Sequence, residues 1–204
     1  MSARARSRCW RLWLPGLLVL AGMALAFSAA AAELKLDDYE VGPYALGGDF
    51  TLTNQLGQKT RLSQYRGKVV AVFFGYTFCP DVCPTTLAEL QKMRKLLGKD
   101  ASRVQAVFIT VDPARDTPAR LKSFLANFGA GIVGLTGMES EIRDVAKLYQ
   151  ARYAHSATAA AGAYFMDHTA FVYLLDGTGK VRYLFTPDAG SDLMAEGARR
   201  LLKG

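Results

Sequence analysis

Two uninterrupted apolar runs, residues 68–76 (KVVAVFFGY) and 104–111 (VQAVFITV), stand out against an otherwise mixed chain. Runs of this length, rich in β-branched and aromatic side chains, predict strands covered on both faces. Before them, Phe50-Thr-Leu-Thr and Thr60-Arg-Leu flank Asn54-Gln-Leu-Gly57, the pattern of a strand, a tight turn and a strand. After the first run the period changes: Leu87, Leu90, Met93, Leu96 and Leu97 recur at helical spacing up to Gly98. Thr117-Pro118 opens a second helical run carrying Leu121, Phe124, Leu125 and Phe128. Proline suits the first position of a helix and glycine the position after the last. Residues 132–135 predict a short strand and 142–149 a third helix. Residues 170–175 and 181–185 predict a hairpin turning at Asp176-Gly-Thr-Gly179, and about 191–202 a final helix.

The alternation strand, helix, strand, helix implies parallel strands, and the closing hairpin adds antiparallel ones. The expected architecture is α/β: a three-layer sandwich with a mixed central sheet, helices on both faces and an N-terminal β-hairpin, resembling a thioredoxin-like fold. No repeat and no Pro/Gly/Ser-rich linker interrupts residues 40–204, so residues 33–204 read as one domain after a short polar leader. Residues 153–162 are alanine-rich and aperiodic and read as a mobile surface loop.

Half of the 204 residues are apolar and only three are cysteine, which excludes disorder, collagen-like repeats and a disulfide-dense miniprotein. The formal charge is +7, but Arg4, Arg6, Arg8 and Arg11 all lie in a first stretch of 32 residues that holds no acid. Without those four, 21 bases face 18 acids, an ordinary solvated surface with no basic block to track a phosphate backbone. Nucleic acid is excluded as a partner. The first stretch is basic over residues 1–11, apolar over 12–27 and small over 28–32. It reads as a secretory signal, with Ala30 and Ala32 fitting small-x-small cleavage. The competing reading is an uncleaved anchor spanning residues 12–32. Either way the remainder is exported, to a periplasmic location, soluble after cleavage or tethered to the inner membrane. Cys9 precedes the apolar stretch and has no role, which leaves Cys79 and Cys83.

These two lie in Cys79-Pro-Asp-Val-Cys83-Pro84, between a buried strand and a helix. The prolines favour extended backbone at both cysteines, and Pro84 suits the first helical position, which puts Cys83 near the N-cap. There the helix dipole favours thiolate and readies sulfur for a metal or for disulfide exchange. One turn of chain brings the Cα atoms to roughly 6 Å, within reach of a disulfide or of one metal ion. A plain stapling disulfide is the competing structural reading, although so short a loop gains little from closure. His168, in Phe165-Met-Asp-His-Thr169, precedes the strand at 170–175, and a mixed sheet can bring it beside the cysteines. Two thiolates and an imidazole suit copper, Cu(I) or Cu(II), and would also accept zinc. Asp167 reads equally as a group orienting the imidazole or as a surface residue. His155 reads as solvated, and Met138 and Met166 as packing with thioether ligation as the alternative. The segment Asp112-Pro-Ala-Arg-Asp116-Thr-Pro118 reads as a helix-capping turn or as a charged rim beside the cysteine loop.

Taken together, Gly75-Tyr-Thr-Phe-Cys-Pro-Asp-Val-Cys-Pro-Thr-Thr-Leu87, Val111-Asp-Pro-Ala-Arg-Asp-Thr-Pro118 and Met166-Asp-His-Thr169 closely resemble the Sco/SenC family of copper proteins. The likeness extends over most of residues 40–204. It implies a thioredoxin-like domain in which Cys79, Cys83 and His168 bind one copper ion per chain. The implied role is that of a metallochaperone for the copper-A centre of cytochrome c oxidase, with the copper-A-bearing oxidase subunit as acceptor and an upstream copper donor. The chain departs from thioredoxins in one respect: His168-Thr169, not a proline, precedes Ala170, which fits a metal ligand there.

The alternative is a thiol-disulfide reductase using Cys79 and Cys83 to keep the copper-A cysteines reduced. Both readings imply an exported thiol reductant as a partner. A peroxidase of the peroxiredoxin kind ranks third, because the carboxylate of Asp81 is expected to oppose a low thiolate pKa at Cys79.

Overall fold

A computed structural model describes residues 34–42, 46–156 and 164–203. The reading of residues 1–32 as a signal or anchor lies outside the described residues. In chain order the elements are β1 (Thr51–Asn54), β2 (Lys59–Arg61), β3 (Val69–Gly75), α1 (Val82–Leu97), β4 (Val104–Thr110) and α2 (Pro118–Leu125). They continue with β5 (Ile132–Thr136), α3 (Glu139–Leu148), β6 (Tyr153–His155), β7 (Met166–His168), β8 (Val172–Leu175), β9 (Val181–Phe185) and α4 (Gly190–Lys203).

β3 is buried at every position because it runs in the interior of a seven-stranded sheet of order β2-β1-β5-β4-β3-β8-β9. It pairs in parallel with β4 from Val69↔Val104 to Gly75↔Thr110, and antiparallel with β8, Phe73 facing Val172. β1 and β2 form the expected hairpin, and β1 closes antiparallel on β5. The sheet is mixed, as the pattern of the chain predicts.

Facing residues in adjacent strands share a side, so Ala71, Phe73, Phe108, Gly134 and Leu174 lie on one face. That face carries α1, α2 and α4: Cys83 of α1 abuts Gly75, Leu121 and Leu125 of α2 abut Gly134, and Gly197 of α4 meets Leu174. The opposite face is covered at the end of α3, where Tyr149 packs edgewise on Tyr173 at 5.3 Å and lies against Phe74 at 5.7 Å. Helices on both faces complete the thioredoxin-like sandwich.

Two segments differ from the sequence reading. The polar leader before β1 packs on the domain: Leu36 and Tyr39 are buried, and Tyr39 lies against Phe185 at 5.1 Å between ring centres. A few apolar anchors in a polar stretch suffice for docking. Residues 153–155, expected in a mobile loop, form β6, which pairs antiparallel with β7 through Tyr153↔His168 and His155↔Met166. Its backbone hydrogen bonds, extended by Thr169 N–H to the Arg152 carbonyl and Ser156 N–H to the Phe165 carbonyl, hold it despite its weak strand propensity.

Candidate metal centre

One end of the sheet, where β3 and β4 finish, gathers the chemistry. β3 leaves the sheet at Gly75 and β8, running the other way, enters it at Val172 opposite Phe73. The cysteine loop and the His168 strand therefore meet at the same end of the sheet. β4 runs parallel to β3, so its exit loop, residues 111–117, arrives there too.

The helix begins two residues earlier than expected. Asp81 is the N-cap of α1, so Cys83 is the second helical residue and turns into the core, 0% exposed, while Cys79 precedes the helix at 9%. Its sulfur accepts the Cys83 backbone N–H at 3.4 Å. The roles expected of the helix N-terminus are thus redistributed: Cys79, not Cys83, becomes the stabilised thiolate. A hydrogen bond from the Cys83 thiol, helped by His168 and the backbone N–H groups of Asp81 and Cys83 and opposed by burial, brings Cys79 down to about 4. The same hydrogen bond to the Cys79 thiolate, together with burial and its negative charge, pushes the Cys83 thiol up. Asp81 acts through its N–H, which favours the thiolate, and its expected opposition is not what governs this sulfur.

His168 completes the group. Cys83 Sγ and His168 Nε2 are 3.4 Å apart, and His168 Nδ1 is 3.2 Å from the Thr169 carbonyl oxygen. A carbonyl only accepts, so Nδ1 carries a proton, and Nε2 is the ring nitrogen that faces the sulfurs. Tyr76 and Phe73 wall the ring edgewise at 5.7 and 6.2 Å. The exposed Asp167 projects from the opposite side of β7, and the Thr169 carbonyl fills the orienting role instead. The three donor atoms lie within 4.8 Å of one another and can hold one metal ion. Both cysteines are free thiols, so the stapling-disulfide reading is not what the fold displays.

Gly75 permits this approach. A Cβ there would stand 2.8 Å from Cys83 Sγ and 2.7 Å from Phe108 Cε2, closer than side chains tolerate. The signal was present in the sequence as a glycine inside a run of bulky residues, but nothing local says which atom needs the space.

The segment at residues 112–118 is both turn and rim. Thr117 caps α2 by accepting the Arg120 N–H at 3.2 Å. Asp116 is fully buried and accepts from Thr77 N at 2.9 Å and from the Thr77 and Thr110 hydroxyls at 2.6 Å each. It belongs to the interior, tying the start of the cysteine loop to the end of β4. Burial raises its pKa against these three donors. The rim proper is Arg115, which pairs with Asp112 and lies over the rings of Tyr164 at 3.6 Å and Phe78 at 4.6 Å. Tyr164, absent from the sequence reading, donates its hydroxyl to Asp112 at 2.8 Å. Among the other candidates, Met138 is 65% exposed at the start of α3, Met166 is buried, and His155 is exposed with its ring edge-on to Tyr164. His155 is not among the three residues whose donor atoms cluster.

Comparison with known proteins places the chain. A family model described as SCO1/SenC matches residues 39–203. A SCO2-like protein of Rickettsia conorii is 38% identical over 152 residues, 74% of each chain. The structure of Bradyrhizobium japonicum ScoI with copper bound is 42% identical, with a TM-score of 0.71 over 78% of this chain and all of the other. BsSco, reported with a disulfide switch and as a member of the Sco family of cytochrome c oxidase assembly proteins, is 27% identical, with a TM-score of 0.61 over 81% of this chain and 94% of its own. With a family model spanning nearly the whole described domain and two thiols and an imidazole converging at one end of the sheet, the chain belongs to the SCO1/SenC family.

Proposed function

We propose that this protein is a copper metallochaperone that binds one copper ion through Cys79, Cys83 and His168 and delivers it during assembly of the copper-A centre of cytochrome c oxidase. The observation that carries this reading is the convergence of two sulfurs and an imidazole nitrogen within 4.8 Å. Soft and borderline donors in that number suit copper. Copper in the ScoI relative and the oxidase-assembly role of the family described for BsSco support it.

Copper is cargo here. Cys79 meets it as a thiolate, Cys83 gives up its proton to solvent as the second sulfur engages, and His168 supplies Nε2. Only three protein donors bind, which leaves room for an acceptor thiolate to enter before a donor leaves, so copper passes by ligand exchange. The acceptor is the copper-A-bearing oxidase subunit, and an upstream donor supplies the ion. Residues 1–32 act as a secretory signal or an anchor, and residues 33–204 work as one domain facing the periplasm. Among the described residues no helix is long and apolar enough to cross a membrane.

A second reading is favoured by the asymmetry of the two thiols. A low-pKa Cys79 beside a buried Cys83 is the arrangement of an attacking and a resolving cysteine. Cys79 thiolate would attack a partner disulfide, forming a mixed disulfide and releasing one partner thiolate. Cys83, losing its proton, would then attack Cys79 sulfur, releasing the second partner thiolate and closing Cys79–Cys83. The two electrons pass to the partner, and an exported thiol reductant restores the pair.

The test is copper stoichiometry and ultraviolet-visible absorption of the reduced chain, wild type beside His168→Ala. One copper per chain, with a sulfur-to-copper charge-transfer band that changes in the variant, is expected. No retained copper, with a readily reversible disulfide, transfers the assignment to the reductase.

A further inference from the structure

The ribbon that carries His168 carries other donors. β6 and β7 pair so that His155 faces Met166 and Tyr153 faces His168. Opposed residues of an antiparallel pair project to the same side, as do alternate residues of one strand. Met166 and His168 of β7 therefore share a face with Tyr153 and His155 of β6. At one end of that face His168 meets the cysteines. At the other, the exposed His155 and the buried Met166 both line a cleft of about 600 Å³ that none of Cys79, Cys83 and His168 lines.

We propose that His155 and Met166 form a second, weaker Cu(I) site, a station between solvent and the three-donor centre. The proposal rests on the copper reading above. Thioether sulfur and imidazole nitrogen are both donors that Cu(I) accepts. Both are neutral, so the station lacks the thiolate charge that holds the ion at the cysteines, and it releases more easily. Two residues of strand span roughly 6.7 Å, so the ion has one short step from Met166 to His168. The Tyr164 ring, 4.7 Å from the His155 ring, fixes the imidazole at the mouth of the cleft. Arg143, Lys147 and Arg152 also line the cleft, as do the acids Asp112 and Glu139; Arg143 faces Glu139 at 4.0 Å and Lys147 faces Asp144 at 3.4 Å. Two of the three cationic charges are offset by these pairs, so the cleft opposes a monovalent cation less than three bare cations would. No electron moves in the transfer: copper stays Cu(I), His155 and Met166 leave, and Cys83 loses its proton to solvent as its sulfur engages.

The experiment titrates Cu(I) without oxygen into the full reduced chain, with Cys9→Ser in every form so that no third thiol competes, against a coloured Cu(I) chelator, while nuclear magnetic resonance follows the Met166 methyl and His155 ring. Wild type is compared with His155→Ala, Met166→Leu and the double variant Cys79→Ser/Cys83→Ser. The expected result is a first equivalent that leaves the His155 resonances in place and a weaker second that shifts His155 and Met166 together. Each single variant should weaken the second equivalent by about tenfold or more and leave the first unchanged. His155→Ala alters an exposed side chain, and Met166→Leu conserves volume, so both keep the fold. The Cys79→Ser/Cys83→Ser chain should keep only the weak equivalent. A normal first equivalent with no second, or a second that both single variants leave intact, overturns the station. Failure of the wild type to take the first equivalent, with the weak one still present in all cysteine forms, overturns the copper reading of the cysteines and leaves the station standing.

Discussion

Cys83 Sγ and His168 Nε2 stand 3.4 Å apart across 85 positions of sequence. The distance follows from strand direction. β8 returns antiparallel to β3, so the residues before β8 fall where the residues after β3 begin. Cys83 reaches that point from inside α1 and His168 from β7, and Gly75 leaves room for the Cys83 sulfur. The centre is thus framed by regular elements and takes a single donor, Cys79, from the loop, the favourable arrangement for holding donors at fixed separation.

The two thiols differ in reactivity. With Cys79 brought down to about 4 and the Cys83 thiol pushed up, an alkylating reagent at pH 6 should modify Cys79 well ahead of Cys83 in the reduced chain. Peptide mass mapping over a time course reads the order. Equal labelling, or faster labelling of Cys83, contradicts the assignment of the thiolate.

The same shifts govern stability. At pH values above about 4 and below the ordinary cysteine value of 9.0, the folded pair holds one proton and the unfolded pair two. The unfolded state binds more protons, so stability rises with pH across that window. The Cys79 contribution is complete above the unfolded value and is lost as pH falls through about 4. Above 9.0 the trend reverses, because folded Cys83 keeps a proton that the unfolded chain has lost. Urea midpoints of the reduced chain from pH 5 to pH 8 should climb relative to Cys79→Ser. Parallel curves would show that the pair is not coupled.

Gly75→Ala should disturb the centre through packing alone. The added methyl would meet Cys83 Sγ and Phe108 Cε2 inside contact distance, an overpacking that costs about 1–3 kcal/mol. Thermal unfolding reads the loss, and copper competition reads a weaker site in the folded fraction. A variant with unchanged stability and affinity would mean that Cys83 moves freely and that the approach is not tight.

Asp116→Asn keeps the shape of the side chain and removes an acceptor. The Thr77 N–H and two hydroxyls now converge on a carboxylate that is fully buried. An amide leaves at least one of these donors facing an N–H₂ group, which costs about 1–3 kcal/mol. The cysteine loop should loosen, seen as faster hydrogen exchange at Thr77 and Cys79 with the sheet amides unchanged. Uniform acceleration across the sheet would assign Asp116 to global stability and not to loop placement.

The sequence alone determined the sheet, its mixed character, and the chemistry that two cysteines and a histidine can perform. Continuous apolar runs and helical spacing are local patterns, and residues 69–75 and 104–110 became strands because burial on both faces leaves little alternative. Donor type is likewise written in the residues, and three motifs in order carried the family resemblance. Tertiary structure decided the rest. Which cysteine is the thiolate depended on where α1 begins, a matter of two residues, and on a thiol from the next turn donating back to Cys79. The strand at 153–155 formed only because β7 supplied partners for a segment with little strand propensity of its own. The Thr169 carbonyl, the Asp116 anchor and the space over Gly75 are relations between atoms far apart along the chain. Pattern along a chain reports which side chains seek burial. Distances of a few ångströms between donors are fixed only when strands and helices have packed, because packing removes the freedom that each segment would otherwise keep.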